Sequence, residues 1–357
     1  MKRILLILAI LLTAITCLDA QKTKQNYVIG FYNLENLFDT YDDPVKNDAE
    51  FLPDGANRWT EAKYRKKQLS NMAHVIAEMA KSNKRFHTIL GVSEIENRLV
   101  LEDLVCEPEI ASANYQIVHY ESPDRRGVDV ALLYRPDQFT LLDSESIPFT
   151  FEKGVEYADT DTAYFRTRDI LMVHGLLADE EFAFYVCHLP SRVGGKGGNL
   201  RSRGAQIAYE HAMKMMEKHP DIKIVVMGDM NDNPTDESMA VCLHGKEKIE
   251  DVTPTDFYSP YLSMLKAGYG SLCYQGTWSI YDLELVNYNL ATAPNGGLRI
   301  QPVTNNKKKW YDGVIFKRPW LTTQEGQYAG YPFRTFSNGA FVGGYSDHYP
   351  TYIVVGK

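Results

Sequence analysis

The sequence has no long apolar run after its first 20 residues, so we expect no membrane-spanning helix there and no stable membrane insertion. Cysteine is scarce, with five in 357 residues, and the spacings match no zinc or thiol-redox motif. An excess of basic charge is also absent, because the formal net charge is −8. Bulk electrostatics therefore cannot hold the chain on nucleic acid or an anionic membrane, although a bound cation would reverse the field locally at a phosphate ester.

The N-terminus carries an export signal. Lys2 and Arg3 precede a short apolar run that is followed by small and polar residues, which is typical of a secretory signal peptide over residues 1–20. Cys17 also raises the alternative of a lipoprotein anchor, but the two residues before it fit a lipidation signal poorly. The sequence therefore predicts a periplasmic or secreted protein whose residues 21–357 form a single domain, and we expect a monomer.

Short apolar runs alternate with helical patterns along the rest of the chain. Helices are predicted at 61–79 and 203–218, where apolar residues recur at helical spacing. Strands are predicted at 27–32, 88–92, 128–134, 182–187, 222–227, 281–286, 313–316 and 351–355. Several of these runs are almost wholly apolar, as expected for strands that are covered on both faces. The mixture predicts an α/β sandwich.

Polar side chains stand where these apolar strands end. The set consists of Asn33, Glu94, His188, Asp229, Asn231, Asp347 and His348. Such positions can converge at one edge of an α/β sheet. Carboxylate and amide oxygens suit Mg²⁺, Mn²⁺ or Ca²⁺, and imidazoles suit proton transfer or contact with phosphate charge. Each residue alone also fits a turn or a helix cap, and only their joint occurrence favours a site.

Five segments resemble, in order, the signature blocks of the endonuclease/exonuclease/phosphatase superfamily of deoxyribonuclease-like, metal-dependent phosphoesterases. They are FYNLENLFD, GVSEIEN, CHLPSR, GDMNDNP and GYSDHYP. Together with the GVDVALLYRP block, they are most similar to exported bacterial members. The resemblance spans residues 28–355 and implies a four-layer sandwich, in which two packed mixed β-sheets are covered by helices on the outside.

The resemblance also implies a metal centre. Glu94 would be the main ligand of Mg²⁺, Mn²⁺ or Ca²⁺, and Asn33 and Asp347 would complete or support the ligand shell.

The resemblance further implies catalytic roles. Asp229 would orient and deprotonate the attacking water, and Asn231 would hold that water or a phosphate oxygen. His188 and His348 would flank the phosphorus and stabilise the charge of the transition state.

Two further assignments from the resemblance have rivals. An aspartate would orient His348, and we prefer Asp282, in GTWSIYDLELV, to Asp312, in KKWYDGVIF. Arg168 matches an arginine that deoxyribonuclease-like members place near the phosphate, and Arg166 is its rival.

The substrate is encoded in loops rather than in motifs. The segment HLPSRVGGKGGNLRSR offers four cations for a phosphate, Arg192, Lys196, Arg201 and Arg203, but it also fits a solvated surface loop. We expect a nuclease that acts on nucleic-acid phosphodiesters. The alternatives are a phospholipid or sugar-phosphate phosphoesterase on the same site, and a non-catalytic binding module with the same fold.

Overall fold

The computed structural model describes residues 25–157, 160–192, 195, 197–304, 310–337 and 339–357. The predicted signal peptide, its Cys17 and Lys196 lie outside the described residues. No helix within the described part of the chain is both long and apolar enough to cross a membrane.

Two seven-stranded mixed sheets form the centre of the described structure, with strands numbered along the chain. Sheet A has the order β14-β20-β1-β2-β4-β3, with β17 also paired to β20. It comprises β1 (Asn26–Leu37), β2 (Ile89–Ile95), β3 (Gln116–His119), β4 (Asp129–Tyr134), β14 (Arg299–Gln301), β17 (Gly313–Ile315) and β20 (Thr351–Gly356).

Sheet B has the order β5-β6-β7-β8-β13-β10-β9. It comprises β5 (Phe139–Ile147), β6 (Ile170–Leu177), β7 (Glu180–His188), β8 (Lys223–Asp229), β9 (Gly245–Lys246), β10 (Phe257–Tyr258) and β13 (Asp282–Asn287). The two-stranded ribbons are β11 (Leu272–Tyr274) with β12 (Thr277–Ser279), β15 (Val303–Thr304) with β16 (Trp310–Tyr311), and β18 (Phe336–Ser337) with β19 (Ala340–Phe341).

Helices cover the outer face of each sheet. The α-helices are α1 (Glu61–Lys63), α2 (Ser70–Asn83), α3 (Arg98–Val105), α4 (Gly198–Lys218), α5 (Leu262–Lys266) and α6 (Tyr288–Thr292). Short 3₁₀ turns occur at Ala49–Phe51, Ala111–Ala113, Ile249–Asp251 and Pro319–Leu321, and π-helical turns occur at Tyr64–Leu69 and Ser238–Cys242.

Three hydrophobic cores separate the layers. Residues of both sheets, such as Phe31 and Met227, meet in the middle core. The opposite face of sheet A packs on α2 and α3, and the opposite face of sheet B packs on α4. Because strand side chains alternate between faces, β1 sends Tyr32 outward while Phe31 points inward. The predicted four-layer α/β sandwich is confirmed.

The helix predicted at 61–79 is interrupted. A π-helical turn at Tyr64–Leu69 separates α1 from α2. Gln68 in this turn is buried, and its Nε2 donates to the carbonyl oxygens of Leu34, Glu35 and Asn36 at 3.4, 3.1 and 3.2 Å. The turn therefore anchors the end of β1, and π-helical turns occur often near functional sites.

A buried carboxyl joins the two sheets. Glu284 of β13 accepts hydrogen bonds from Thr351 Oγ1 of β20, at 3.0 Å, and from the Tyr261 hydroxyl. Burial raises the pKa of Glu284 to about 8, although both hydroxyl donors oppose the rise. The protonated form therefore suits the folded protein better than the carboxylate does.

Glu284 predicts a pH dependence of stability. Its folded-state pKa lies above the ordinary 4.5, so its stabilising contribution is complete below about pH 4.5 and is lost as the pH rises through 8. From pH 4.5 to 8, this group should lower the free energy of unfolding of the native protein by an amount on the order of a few kcal/mol. We expect Glu284→Gln to remove this pH dependence. Urea titrations between pH 5 and 8.5 measure it, and parallel curves for the two proteins would contradict it.

Candidate active site

The sheet topology brings five of the predicted side chains to one end of the sandwich. In sheet B, β7 runs parallel to β8 with His188 opposite Asp229, and β13 runs antiparallel to β8 with Asp282 opposite Asp229. In sheet A, β1 carries Asn33, and the turn before its antiparallel neighbour β20 carries His348. Side chains from both sheets therefore meet at this end.

Asp229 lies at the centre of the site and is only 2% exposed. Its Oδ2 accepts from Asn33 Nδ2 at 3.0 Å, and its Oδ1 accepts from the Asn231 backbone N–H at 3.0 Å. The Nε2 atoms of His188 and His348 both lie 3.8 Å from Asp229 Oδ2. Burial raises the pKa of Asp229 to about 7, while His348 opposes the rise. A carboxyl with this pKa can accept a proton near neutral pH.

His348 and Asp282 form a buried pair. Asp282 Oδ2 lies 2.8 Å from His348 Nδ1, which leaves Nε2 facing Asp229. Burial alone would lower the pKa of His348, but the carboxylates of Asp282 and Asp229 hold it well above its ordinary value. Asp312 instead accepts from the Tyr258 hydroxyl at 2.6 Å. Of the two rival aspartates, the structure thus places Asp282 against His348.

Glu94 stands at a bulge in β2 with a positive φ of 56°. Bulges can re-aim a side chain next to a site, and here Glu94 Oε2 accepts from the Asn36 N–H at 3.0 Å. Its Oε1 lies 3.7 Å from His188 Nε2. Potential ligand atoms of Glu94, His188 and Asp229 all lie within 4.8 Å of one another. This donor set fits a divalent cation, with carboxylate oxygens as the hard ligands.

His188 faces this group as a neutral imidazole. Burial and the nearby Arg168 lower the pKa of His188 well below its ordinary value. Its Nδ1 is buried and has no hydrogen-bond partner within the described part of the chain.

Asn33 and Asp347, the other two predicted ligands, have protein partners. The Asn33 Oδ1 accepts from the Glu35 N–H at 2.9 Å, so its amide is fixed between Glu35 and Asp229. Asp347 Oδ2 pairs with Arg334 Nη2 at 3.1 Å, and its Oδ1 lies 4.0 Å from His348 Nε2. Asn33 is thus placed to position Asp229, while Asp347 stands at the more open side of the site.

The model of the Endonuclease/Exonuclease/phosphatase family matches residues 28–357. The chain belongs to this family. Membership of this family supports phosphoesterase activity in general terms, in agreement with the sequence motifs. No curated protein matches the sequence.

Several solved structures resemble this family member over most of its length. D. rerio TDP2 complexed with a single-strand DNA product has a TM-score of 0.51 and 13% identity, covering 93% of this chain and 100% of that chain. The human nocturnin catalytic domain has a TM-score of 0.50 and 14% identity, covering 93% of this chain and 96% of that chain. A Bacteroides thetaiotaomicron mannosyl-6-phosphatase has a TM-score of 0.50 and 14% identity, covering 92% of this chain and 99% of that chain. At these identities the similarity shows the fold alone.

Arg168 of this family member lies behind the site. Its Nε and Nη2 donate to the carbonyl oxygens of His188 and Leu189 at 3.1 and 2.9 Å, and its Nη1 donates to Asp124 at 3.1 Å. The side chain is buried, which differs from the expected contact with phosphate. Arg168 instead supports the turn that presents His188. Its rival Arg166 donates to the carbonyl oxygens of nearby residues.

The arginines of the HLPSRVGGKGGNLRSR segment are also engaged within the protein, and two of them, Arg201 and Arg203, lie in α4. Arg201 is buried and pairs with Asp232 at 2.7 Å, and the buried Arg203 donates to the Thr150 carbonyl. The more exposed Arg192 pairs with Asp236 at 2.8 Å. These contacts do not fit the idea that Arg201 and Arg203 bind phosphate. Arg201 instead holds the residues before the helix, because its Nη1 donates to the carbonyl oxygens of Pro190 and Ser191.

Glu35 and Arg334 belong to the site region, although the sequence motifs did not single them out. The Glu35 carboxylate is buried and accepts from the Thr335 N–H at 2.6 Å and from Arg334 Nε at 3.0 Å. Arg334 then bridges to Asp347. Glu35 lies two residues after Asn33 in the NLENLFD block, so the motif that pointed to Asn33 was the signal for Glu35 as well.

Proposed function

We propose that this family member is an exported, divalent-metal-dependent nuclease that hydrolyses nucleic-acid phosphodiesters by in-line attack of water. The observation that carries the proposal is the convergence of Asp229, Glu94 and two imidazoles on one point, with one imidazole paired to Asp282. These groups can activate water, hold a cation and stabilise charge, which are the three functions that metal-assisted phosphoester hydrolysis needs.

Asp229 is the base in this proposal. Its carboxylate takes a proton from the attacking water, the new P–O bond forms, and the ester bond opposite breaks. The Asn33 amide and the Asn231 N–H fix the Asp229 carboxylate, so its hydrogen bond with the attacking water is aligned before the reaction. His348, kept protonated by Asp282, donates to the phosphate as its negative charge grows.

Glu94 would hold the cation. The resemblance implies Asp347 and Asn33 as supporting groups, although in this structure Asn33 positions Asp229 and Asp347 pairs with Arg334. When bound, a divalent ion would neutralise the phosphate and the leaving oxygen. The Glu94 carboxylate fits such an ion, because it is partly exposed and its Oε1 lies near His188 and Asp229.

Chelation is expected to abolish hydrolysis, and Mg²⁺ or Mn²⁺ is expected to restore it. Glu94→Gln should raise the Mg²⁺ concentration that gives half-maximal rate by at least about tenfold, because it removes a charge while keeping the shape. The exposed Glu102 of α3 provides a control, and Glu102→Gln should leave the metal titration unchanged. Full activity in excess chelator would overturn metal dependence.

Among the alternative substrates, phospholipid finds little support on the surface. An exposed apolar hairpin would favour a lipid substrate. The apolar segment FYSPYLSMLK does not form one, because Phe257, Tyr258, Tyr261, Leu262 and Met264 are all buried. Assays of the purified protein on DNA, RNA, sphingomyelin and a sugar phosphate separate the classes, and preferential hydrolysis of sphingomyelin or the sugar phosphate would overturn the nucleic-acid assignment.

Export rests on the N-terminal pattern alone. We expect the protein recovered from an exporting cell to begin at Gln21, because cleavage after Ala20 fits the small residues there. Intact-mass measurement tests it, and a mass that includes residues 1–20 would contradict it.

A further inference from the structure

A cavity of about 640 Å³ opens beside the candidate active site. Asp347 and Arg334 form part of its wall, and Asp347 Oδ1 lies 4.0 Å from His348 Nε2. A substrate whose phosphate contacts His348 would therefore extend a neighbouring group past Asp347 into this cavity. The volume lies within the usual range for small-molecule sites.

Four aromatic rings line the cavity wall. Tyr274 comes from the β11–β12 ribbon, and Tyr328, Tyr331 and Phe333 come from the segment that follows Thr323. Tyr274 is 71% exposed, and Tyr328 is 37% exposed. Rings of this size exposed around a concave surface are typical of a binding site, because a ligand would bury them.

The polar groups of the wall are mostly neutral. Gln275 and Gln327 each offer an amide donor and an amide acceptor. Within the described lining, Arg334 is the single cation and Asp347 the single acid, and both lie at the end toward His348. Charge is thus concentrated where the phosphate would be, and the rest of the cavity is aromatic and uncharged.

We propose that this cavity binds the nucleobase next to the scissile phosphate, by stacking on the tyrosines, with the glutamine amides at the base edge. Base–aromatic stacking accepts any base, because every base has a π face, while amides can pair with its edge. An acyl chain would call for an aliphatic wall, and Val342 and Pro332 are the aliphatic side chains in the described lining. A polyphosphorylated sugar would call for more cations than Arg334.

The proposal rests on the proposed phosphodiesterase function, and a pair of substrates separates the two. Both are p-nitrophenyl phosphodiesters: one carries thymidine at the 5′ oxygen, and the other carries an ethyl group. Their leaving group and reaction are the same, so the ratio of their kcat/KM values reports the group in the cavity. We expect the protein to favour the thymidine ester by roughly tenfold or more.

The variants Tyr274→Ala and Tyr328→Ala should each lower this ratio, and together they should bring it near one. Tyr274→Phe should keep the ratio, because the ring remains. Trp310→Ala removes an exposed ring outside the cavity, 64% exposed and so close to Tyr274 in accessibility, and should leave both rates unchanged.

Three results would overturn the assignment. Hydrolysis of both esters at equal kcat/KM would remove the base subsite but leave the phosphodiesterase function standing. Hydrolysis of neither ester would overturn the proposed function itself. A glucose 6-phosphate p-nitrophenyl diester that is favoured over both would assign the cavity to a sugar ring.

Discussion

Replacing Asp229 by asparagine is expected to lower the turnover number by at least about two orders of magnitude, the usual scale for removing a general base. The amide has nearly the same shape but cannot take the proton of the attacking water. Steady-state kinetics on a phosphodiester under saturating Mg²⁺ measures the effect. Asp221, two residues before the other end of β8, provides a matched control, and Asp221→Asn should keep the normal rate.

Folding should be nearly insensitive to the same change. Asp229 is buried with a raised pKa, so the asparagine variant relieves the cost of a buried carboxylate. It also loses one acceptor, because Asn33 Nδ2 and the Asn231 N–H both donate to Asp229 now. These effects oppose each other, and we expect the thermal transition to move by only a few degrees. Near-normal turnover in the variant would show that another group is the base.

Asp282→Asn is expected to reduce the rate about as strongly, and its effect should depend on His348. The Asp282 carboxylate fixes the His348 ring through Nδ1 and stabilises the imidazolium as negative charge builds on the phosphate. In a double-mutant cycle with His348→Ala, the double variant should have a kcat only slightly lower than that of the slower single variant. Each single change should cost at least about two orders of magnitude in kcat.

Asp312→Asn is the matched comparison for this cycle. Asp312 accepts from the Tyr258 hydroxyl and makes no contact with His348, so its effect on the rate should be small and additive with His348→Ala. The opposite result would be a rate effect of Asp312→Asn that is non-additive with His348→Ala, while the effect of Asp282→Asn is additive. It would assign the orientation of His348 to Asp312 and would contradict the contact between Asp282 and His348.

Local patterns in the sequence predicted an α/β sandwich, and the family resemblance implied its four layers. Apolar runs marked the strands, and polar residues after them marked the end of the sandwich at which Asn33, His188 and Asp229 meet. The two rival aspartates could not be separated in this way, since each begins an apolar run. What separates them is the register of β13 against β8, which sets Asp282 opposite Asp229.

Burial and long-range contacts were the parts that the sequence could not supply. Arg168 looked like a phosphate contact, yet Asp124, 44 residues earlier in the chain, draws it behind the His188 turn. Glu35 meets Thr335 across 300 residues. Such partners depend on how two sheets and their loops are stacked, and no local spacing encodes that distance. The same stacking buries Asp229, and its position at the end of a strand does not predict that burial.

The π-helical turn at Tyr64–Leu69 makes the active-site end sensitive to chain length. Deleting one residue there would restore α-helical pitch but rotate one flank against the other by about 100°. Either Gln68 would leave the carbonyls of β1 or Met72 would leave the core beneath α2. Relatives that lack this extra residue should therefore hold the segment after Asn33 by other means, and a gap at this point of an alignment would mark a differently supported site.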